Sequence, residues 1–283
     1  MRRLFENRVA FITGASSGIG AALAREFARH GAAVALAARR EERLQEVKRA
    51  IEEAGGDAEV CVCDVTDRSS IERAVVKAVV KYGRLDVAVA NAGFGVTGLF
   101  EQIRTEDFRR QFDVNVFGVI DTVYAVLPHL KSTRGRLGIV SSTMGRAGLP
   151  TGTAYSSSKF AVCGLAESLY YELAEYRVSV TCICPGLVES DIRRTDNLGA
   201  VHADAPDPAP AWLILSADRA ARSIVKAMHR RKFEIVVTGH GKAMVWMARH
   251  FPRTWRALVH TLTRHRLKAF ERRRRGPINR QGR

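Results

Sequence analysis

Tyr155 and Lys159 stand four residues apart in a segment of helical periodicity, so their side chains share one helix face. That pairing suits proton transfer. A free phenol has a pKa of about 10, too high for a group that must both give and take a proton near neutrality. A neighbouring ammonium favours the phenolate and brings that value down, which makes Tyr155 a candidate general acid/base and Lys159 its modulator. A second constellation lies near the start of the chain, Thr13-Gly14-Ala15-Ser16-Ser17-Gly18-Ile19-Gly20, between an apolar run and a helical segment. Glycines at such a junction allow a tight turn and close approach of backbone to a pyrophosphate. The free N–H groups of the helix that follows favour negative charge. Gly14, Ser16, Ser17, Gly18, Ile19 and Gly20 are therefore candidate phosphate-binding positions.

The next apolar run indicates which dinucleotide such a turn would hold. It reads Leu36-Ala37-Ala38-Arg39-Arg40. A site for NAD usually places Asp or Glu at the end of this strand, where the carboxylate meets the ribose hydroxyls. An uncharged Ala38 followed by guanidinium groups suits a 2′-phosphate instead, because arginine forms charge-assisted, often bidentate bonds to phosphate. Arg39 and Arg40 thus predict NADP(H); the competing reading makes them surface charges opening a helix. A phenol acid/base beside a dinucleotide turn would suit hydride transfer between nicotinamide and a carbonyl or alcohol carbon, whereas a Tyr and a Lys at this spacing, taken alone, also read as ordinary surface or packing residues.

Regular elements must position these groups. Strand-length apolar runs occur at Val9–Ile12, Ala33–Ala37, Glu59–Cys63, Asp86–Ala90, Leu137–Val140, Val178–Ile183 and Ile235–Val237. Helix-period segments alternate with them: one to about His30, then Glu41–Ala54, Ser69–Tyr82, a long one over Asp107–Leu130, and Ala154–Glu175. Near-continuous apolar strands between amphipathic helices predict a doubly wound, parallel, seven-stranded Rossmann-like α/β sheet with helices on both faces. Residues 1–240 would form this catalytic domain. The aperiodic stretch 187–212, with Pro206, Pro208 and Pro210, reads as a loop over the ligand crevice or as a surface excursion.

At this point the sequence resembles the short-chain dehydrogenase/reductase family over roughly residues 7–240. The resemblance rests on motifs in the family's order: Thr13-Gly14…Gly18-Ile19-Gly20, Cys63-Asp64-Val65, Asn91-Ala92-Gly93, Val114-Asn115-Val116, Ser141-Ser142, Tyr155-Ser156-Ser157-Ser158-Lys159 and Pro185-Gly186. It implies that Asp64, with Val65, meets the adenine and that Asn91, Ala92 and Gly93 run along the cofactor. Pro185, Gly186, Val188 and Ser190 would hold the nicotinamide carboxamide side, with Ser190 where the family often has Thr. Ser142 would donate to the substrate oxygen as negative charge develops there. Lys159 would bond the nicotinamide ribose as well as act on Tyr155, and Asn115 would anchor a water linking Lys159 to solvent. The family also implies a homodimer or homotetramer paired through the long helices near 107–130 and 154–175. A catalytically silent binding or scaffold protein on the same fold is the alternative, against which the intact Ser142, Tyr155 and Lys159 set argues.

Other classes find little support. None of the histidines lies in a His-Glu-x-x-His pattern, no Gly-x-Ser-x-Gly elbow is present, and no metal site is expected. Cys61 and Cys63, like Cys182 and Cys184, are separated by one residue in apolar runs, which reads as buried reduced thiols. Met1–Arg8 does not read as a secretory signal, so a cytoplasmic location is expected. The formal charge of +16 is concentrated: residues 242–283 hold thirteen Lys or Arg against the acid Glu271. Within this extension, Met244, Met247, Ala248, Phe251, Trp255, Leu258, Val259 and Leu262 recur at helical spacing, with a break expected at Pro252. Arg249, Arg253, Arg256, His260 and Arg264 take the other side, and Arg272–Arg275 follow. Such a basic amphipathic helix over 244–275 either lies on an anionic membrane surface, peripherally, or docks on the domain or a partner subunit. A basic tail also gives nonspecific, but not specific, nucleic-acid affinity. The substrate reads as a small, hydrophobic carbonyl or alcohol compound, with Met144, Leu149, Leu187 and parts of 187–212 as expected walls.

Overall fold

The computed structural model describes residues 3–200, 202, 207 and 209–274, with side chains described as far as Arg264. Seven apolar runs form one parallel sheet: β1 Val9–Thr13, β2 Ala33–Ala38, β3 Asp57–Val62, β4 Val87–Ala90, β5 Arg136–Val140, β6 Ser179–Cys184 and β7 Glu234–Val236. Their order is β3-β2-β1-β4-β5-β6-β7. Because side chains alternate across a strand, Ile12 and Phe11 enter cores on opposite faces. Ile12 and Leu36 pack with Leu23 and Phe27 of α1 (Gly18–Arg29) and Ile224 and Met228 of Ala217–His229. Phe11 and Ile139 pack with Ile71, Val126, Leu130 and Val162 from the other helical layer. The chain reverses its strand-to-strand direction between β1 and β4, and such a switch point opens a crevice at the carboxyl ends of the strands.

The remaining helices are α2 Glu41–Glu53, α3 Arg68–Tyr82, α4 Thr105–Phe112, α5 Gly118–Thr133, α6 Thr153–Glu172, α7 Ala217–His229, α8 Gly239–His250 and α9 Pro252–Arg274. The long helix expected over Asp107–Leu130 is thus interrupted. A π-helical turn, Asp113–Phe117, joins α4 to α5 and re-aims the side chains at that point, Asn115 among them. Helix α7 was not expected, although Ala220, Ala221, Ile224, Val225 and Met228 bury one regular face. The start of β4 shifts for a polar reason. Asp86 stays outside β4, fully buried, accepting from Arg8 Nη1 at 2.8 Å, Val9 N at 3.0 Å and both Arg84 Nε and Nη2 at 2.8 and 2.7 Å. Burial pushes this carboxyl up, but Arg84, Arg8 and the Val9 amide outweigh it and hold it below the usual carboxylate range. Cys63 lies one residue past β3.

Among its described residues, the 187–212 segment and the residue after it form two short 3₁₀ turns, Asp191–Arg194 and Ala211–Leu213. Its ends are pinned together by Glu189 N to Leu215 O at 2.9 Å and Leu215 N to Leu187 O at 3.0 Å. Arg193 forks onto Asp207 at 2.6 to 3.0 Å and also donates to Val188 O at 3.0 Å, tying the middle of the segment to its root. Pro206 and Pro208 lie outside the described residues. The extension does break at Phe251-Pro252. Helix α8 starts against the body of the protein, with Gly241 and Val245 buried, whereas no side chain from Pro252 to Arg264 is buried. Arg275 lies outside the described residues, as do the side chains of Arg272, Arg273 and Arg274.

Candidate active site

A cleft of about 820 Å³ opens at the carboxyl ends of β1, β4, β5 and β6. Its floor begins at the turn after β1. Gly14 has φ of +67°, and a Cβ there would stand 2.8 Å from Asn91 Nδ2 and 2.9 Å from the Ala92 Cα, so only glycine fits comfortably. The same neighbours are locked by hydrogen bonds. Asn91 Nδ2 donates to Thr13 O at 2.9 Å, while Thr13 Oγ1 accepts from the amides of Asn91 and Ala92 at 3.0 and 3.1 Å. These bonds fasten the ends of β1 and β4 together beneath the cleft. Ser16, Ser17, Gly18, Ile19 and Gly20 continue the wall into the first turn of α1.

Arg40 closes this end, its Nη2 lying 3.2 Å from both the Ser16 and the Ser17 hydroxyl oxygens. Arg39 lies on the same wall, exposed. Across the cleft stand Asp64 and Val65. Asp64 accepts from Thr66 N at 2.9 Å and Thr66 Oγ1 at 2.8 Å, which fixes its carboxylate on the loop after β3.

Ser142, Tyr155 and Lys159 converge at the other end, from the loop after β5 and the first turns of α6. Ser142 caps the short turn after β5, its Oγ accepting from Met144 N at 3.1 Å, and it hydrogen-bonds Tyr155. Among the protein's own groups, burial is the largest influence on the phenol and raises it above its ordinary value; the Ser142 hydrogen bond and the Arg193 charge act the other way. The expected lowering of the phenol by Lys159 is therefore not what these groups produce. The Lys159 ammonium sits 5.7 Å from the Tyr155 ring centre and donates to Val140 O at 2.9 Å. Burial pushes its own pKa down to about 8. Pro185, Gly186, Val188 and Ser190 complete the wall beside these groups.

Every catalytic and cofactor-binding residue expected from the sequence lines this cleft except Asn115, which is fully buried one layer behind it. Its Oδ1 accepts from Phe94 N at 3.1 Å, and its Nδ2 donates to Phe94 O at 3.0 Å and to Ser158 Oγ at 3.2 Å. Gln111, not singled out from the sequence, grips the same loop through Phe94 O at 2.7 Å and Val96 N at 2.6 Å. Ser141 proves structural: its hydroxyl donates to Lys159 O at 2.8 Å and fastens β5 to α6.

The expected walls Met144, Leu149 and Leu187 do not line the cleft. Phe94, Arg110, Ile192, Arg193, Thr195 and Leu198 do, so this end is mixed in polarity rather than mainly apolar. Thr238 and His240 were missed as well: His240 Nε2 accepts from Leu187 N at 3.3 Å and touches the Thr238 hydroxyl at 3.2 Å. All five cysteines are free and buried, and α6 brings Cys163 within 3.7 Å of Cys182, whose sulfur lies 3.8 Å from that of Cys184.

The sequence model of a family described as short chain dehydrogenase matches residues 8–200. The chain belongs to that family. An 11-beta-hydroxysteroid dehydrogenase-like protein (4A) of Arabidopsis thaliana is 34% identical over 243 residues, covering 85% of this chain and 80% of its own. A short chain dehydrogenase/reductase from Burkholderia phymatum, solved in complex with NAD, superposes with a TM-score of 0.79 at 25% identity, over 88% of this chain and 95% of that one. An alcohol dehydrogenase from the archaeon Thermococcus sibiricus, solved with 5-hydroxy-NADP, gives 0.72 at 31% identity, over 82% and 96%. This short-chain dehydrogenase is accordingly an oxidoreductase of the kind that interconverts CH–OH and C=O groups of small molecules, on a fold that binds nicotinamide cofactors.

Proposed function

We propose that the protein is an NADP(H)-dependent carbonyl reductase or alcohol dehydrogenase in which Tyr155 is the general acid/base. The observation that carries this reading is the meeting, in one cleft, of Ser142, Tyr155 and Lys159 with the glycine turn after β1. The residues present fit a dinucleotide. A side chain on Gly14 would crowd Asn91 and Ala92, leaving bare backbone at the place where pyrophosphate needs it. Arg39 and Arg40 stand at the end of β2 with the Ser16 and Ser17 hydroxyls, a donor set for a 2′-phosphate, while no carboxylate ends that strand. Asp64 and Val65 would flank the adenine, Asn91 to Gly93 the middle of the cofactor, and Pro185, Gly186, Val188 and Ser190 the carboxamide.

When bound, nicotinamide supplies the hydride in reduction or accepts it in oxidation. In reduction, the Ser142 hydroxyl donates to the substrate oxygen and the Tyr155 phenol delivers a proton to it; in oxidation, the phenolate removes that proton. Lys159 would hold the nicotinamide ribose and so set the ring relative to the substrate, and the Ser142 hydrogen bond and the Arg193 charge are the protein's own groups that favour the phenolate. Asn115, whose Oδ1 and the Lys159 ammonium both lie against Gly93, anchors a water that returns protons from solvent.

The domain assignment is functional: residues 1–240 carry the chemistry and 241–283 are an appendage rooted on them. Exposed aromatic side chains on α5 and α6, Tyr124, Phe160 and Tyr171 among them, support pairing into a homodimer or homotetramer through these helices. Free, buried thiols suit a reducing, cytoplasmic compartment.

The test is an NADPH-oxidation screen over ketones, aldehydes and acyl carbonyls with Tyr155→Phe as the blank. A turnover that drops by roughly 10²–10⁴ in the variant is expected for a lost general acid. A substrate turned over equally by both proteins would remove Tyr155 from the mechanism. NADPH binding without turnover of any carbonyl, unchanged in the variant, would favour a silent scaffold.

A further inference from the structure

The positive charge of the protein lies mostly outside the cleft, in residues 242–283, and the structure shows which apolar groups accompany it. Val245 is the last buried side chain of helix α8. Trp246 is 55% exposed, with its ring centre 5.4 Å from that of Phe251, itself 51% exposed. Leu258 and Leu262 follow on the same side of α9, at 40% and 67%. Two exposed apolar pairs thus flank the break at Phe251-Pro252, and together they form the extension's uncovered apolar edge. Arg253, Arg256 and His260 take the opposite side and form no ion pair among the described residues, while Arg249 reaches Glu234 at 3.6 Å.

We infer that this edge rests on an anionic lipid surface. Exposed Trp, Phe and Leu side chains gain from immersion at the boundary between headgroups and acyl chains, and arginines on long apolar stems reach round to the phosphates. The reach is short: a helix is roughly 10 Å across, close to the Debye length of about 8 Å at physiological salt. A second copy of the chain is a poor occupant, since it would bring the same excess of positive charge to the contact. A nucleic acid would use the arginines but has no need of the apolar edge. Among the described residues no helix is long and apolar enough to cross a membrane, so the association is with the surface. The edge contains none of the residues that line the cleft, and it does not depend on the proposed chemistry.

The test is co-sedimentation of the full chain with vesicles of phosphatidylcholine alone and of phosphatidylcholine mixed with phosphatidylglycerol. Binding to the mixed vesicles, about tenfold or more above neutral ones, is expected, and Tyr155→Phe should bind as the parent does. The variant carrying Trp246→Ser, Phe251→Ser, Leu258→Ser and Leu262→Ser should lose most of that binding while keeping the parent's melting temperature; if the melting temperature falls, Leu258→Ser with Leu262→Ser alone gives the same comparison. Undiminished binding of these variants would overturn the inference, because charge alone would then suffice. So would full-length protein that ignores anionic vesicles, or that leaves them for duplex DNA added as competitor.

Discussion

A methyl group on Gly186 would overlap the Thr238 hydroxyl and stand 2.9 Å from His240 Nε2. The Pro185-Gly186 segment of the cleft wall is therefore wedged against the start of α8, with Thr143 N holding Pro185 O at 2.9 Å from the other side. Gly186→Ala must displace one of these neighbours. Forcing one carbon into a well-packed contact typically costs about 1–3 kcal/mol, so a lower melting temperature is expected, together with a raised KM for NADPH. An alanine variant with parental stability and KM would show that the wedge yields freely.

His240 offers a separable test of the same contact. Its Nε2 accepts from Leu187 N, and an unpaired amide there loses a bond of about 1 kcal/mol. His240→Ala is expected to raise KM for NADPH about fivefold with a smaller effect on kcat, whereas His240→Gln, which keeps an acceptor, should recover much of the loss. Equal behaviour of the two variants in steady-state kinetics would reduce the imidazole to packing.

In the proposed function, cofactor choice rests on Arg39 and Arg40. A charge-assisted hydrogen bond is worth roughly 1.5–3 kcal/mol, so Arg39→Asp and Arg40→Asp should each cut kcat/KM for NADPH about 10- to 100-fold. The same changes should leave NADH turnover alone or improve it, since a carboxylate at that place meets the ribose hydroxyls. An unchanged ratio of the two specificity constants would return the arginines to the category of surface charge.

The sequence made the sheet and most of the cleft readable because both depend on local pattern. Near-continuous apolar strands and a fixed run of turn residues carry their meaning within a few positions, which is why the glycine turn, Arg39 and Asp64 lie on one wall. Contacts between distant segments were not readable. The π-helical turn at Asp113–Phe117 re-aims Asn115 toward Phe94 and Ser158, partners 21 and 43 residues away, and the apolar spacing runs on through it without a sign. His240 meets Leu187 across 53 residues. The substrate walls failed for a different reason: in the irregular chain after β5 and β6 no periodicity tells which way Met144 or Leu187 points. Helix α7, by contrast, carries its signal locally, in the spacing of Ala220, Ile224 and Met228.

Lys159 exposes what a buried ammonium costs the fold. It is 3% exposed, and burial lowers its pKa from 10.5 to about 8. The unfolded chain takes up the proton first as pH falls, so stability present above pH 10.5 is lost progressively down to about pH 8 and is constant below that. A shift of this size corresponds to about 3 kcal/mol. Lys159→Met removes the buried charge and also the bond to Val140 O, worth about 1 kcal/mol. The variant should therefore be more stable than the parent at pH 7, by about 1–2 kcal/mol in urea unfolding, and the advantage should shrink or reverse as pH rises toward 10.5. Turnover should fall steeply at the same time, because the positioned ammonium is gone. If the variant were the less stable protein at pH 7, the amine would have to be solvated in the folded state, and the account of its depressed pKa would be wrong.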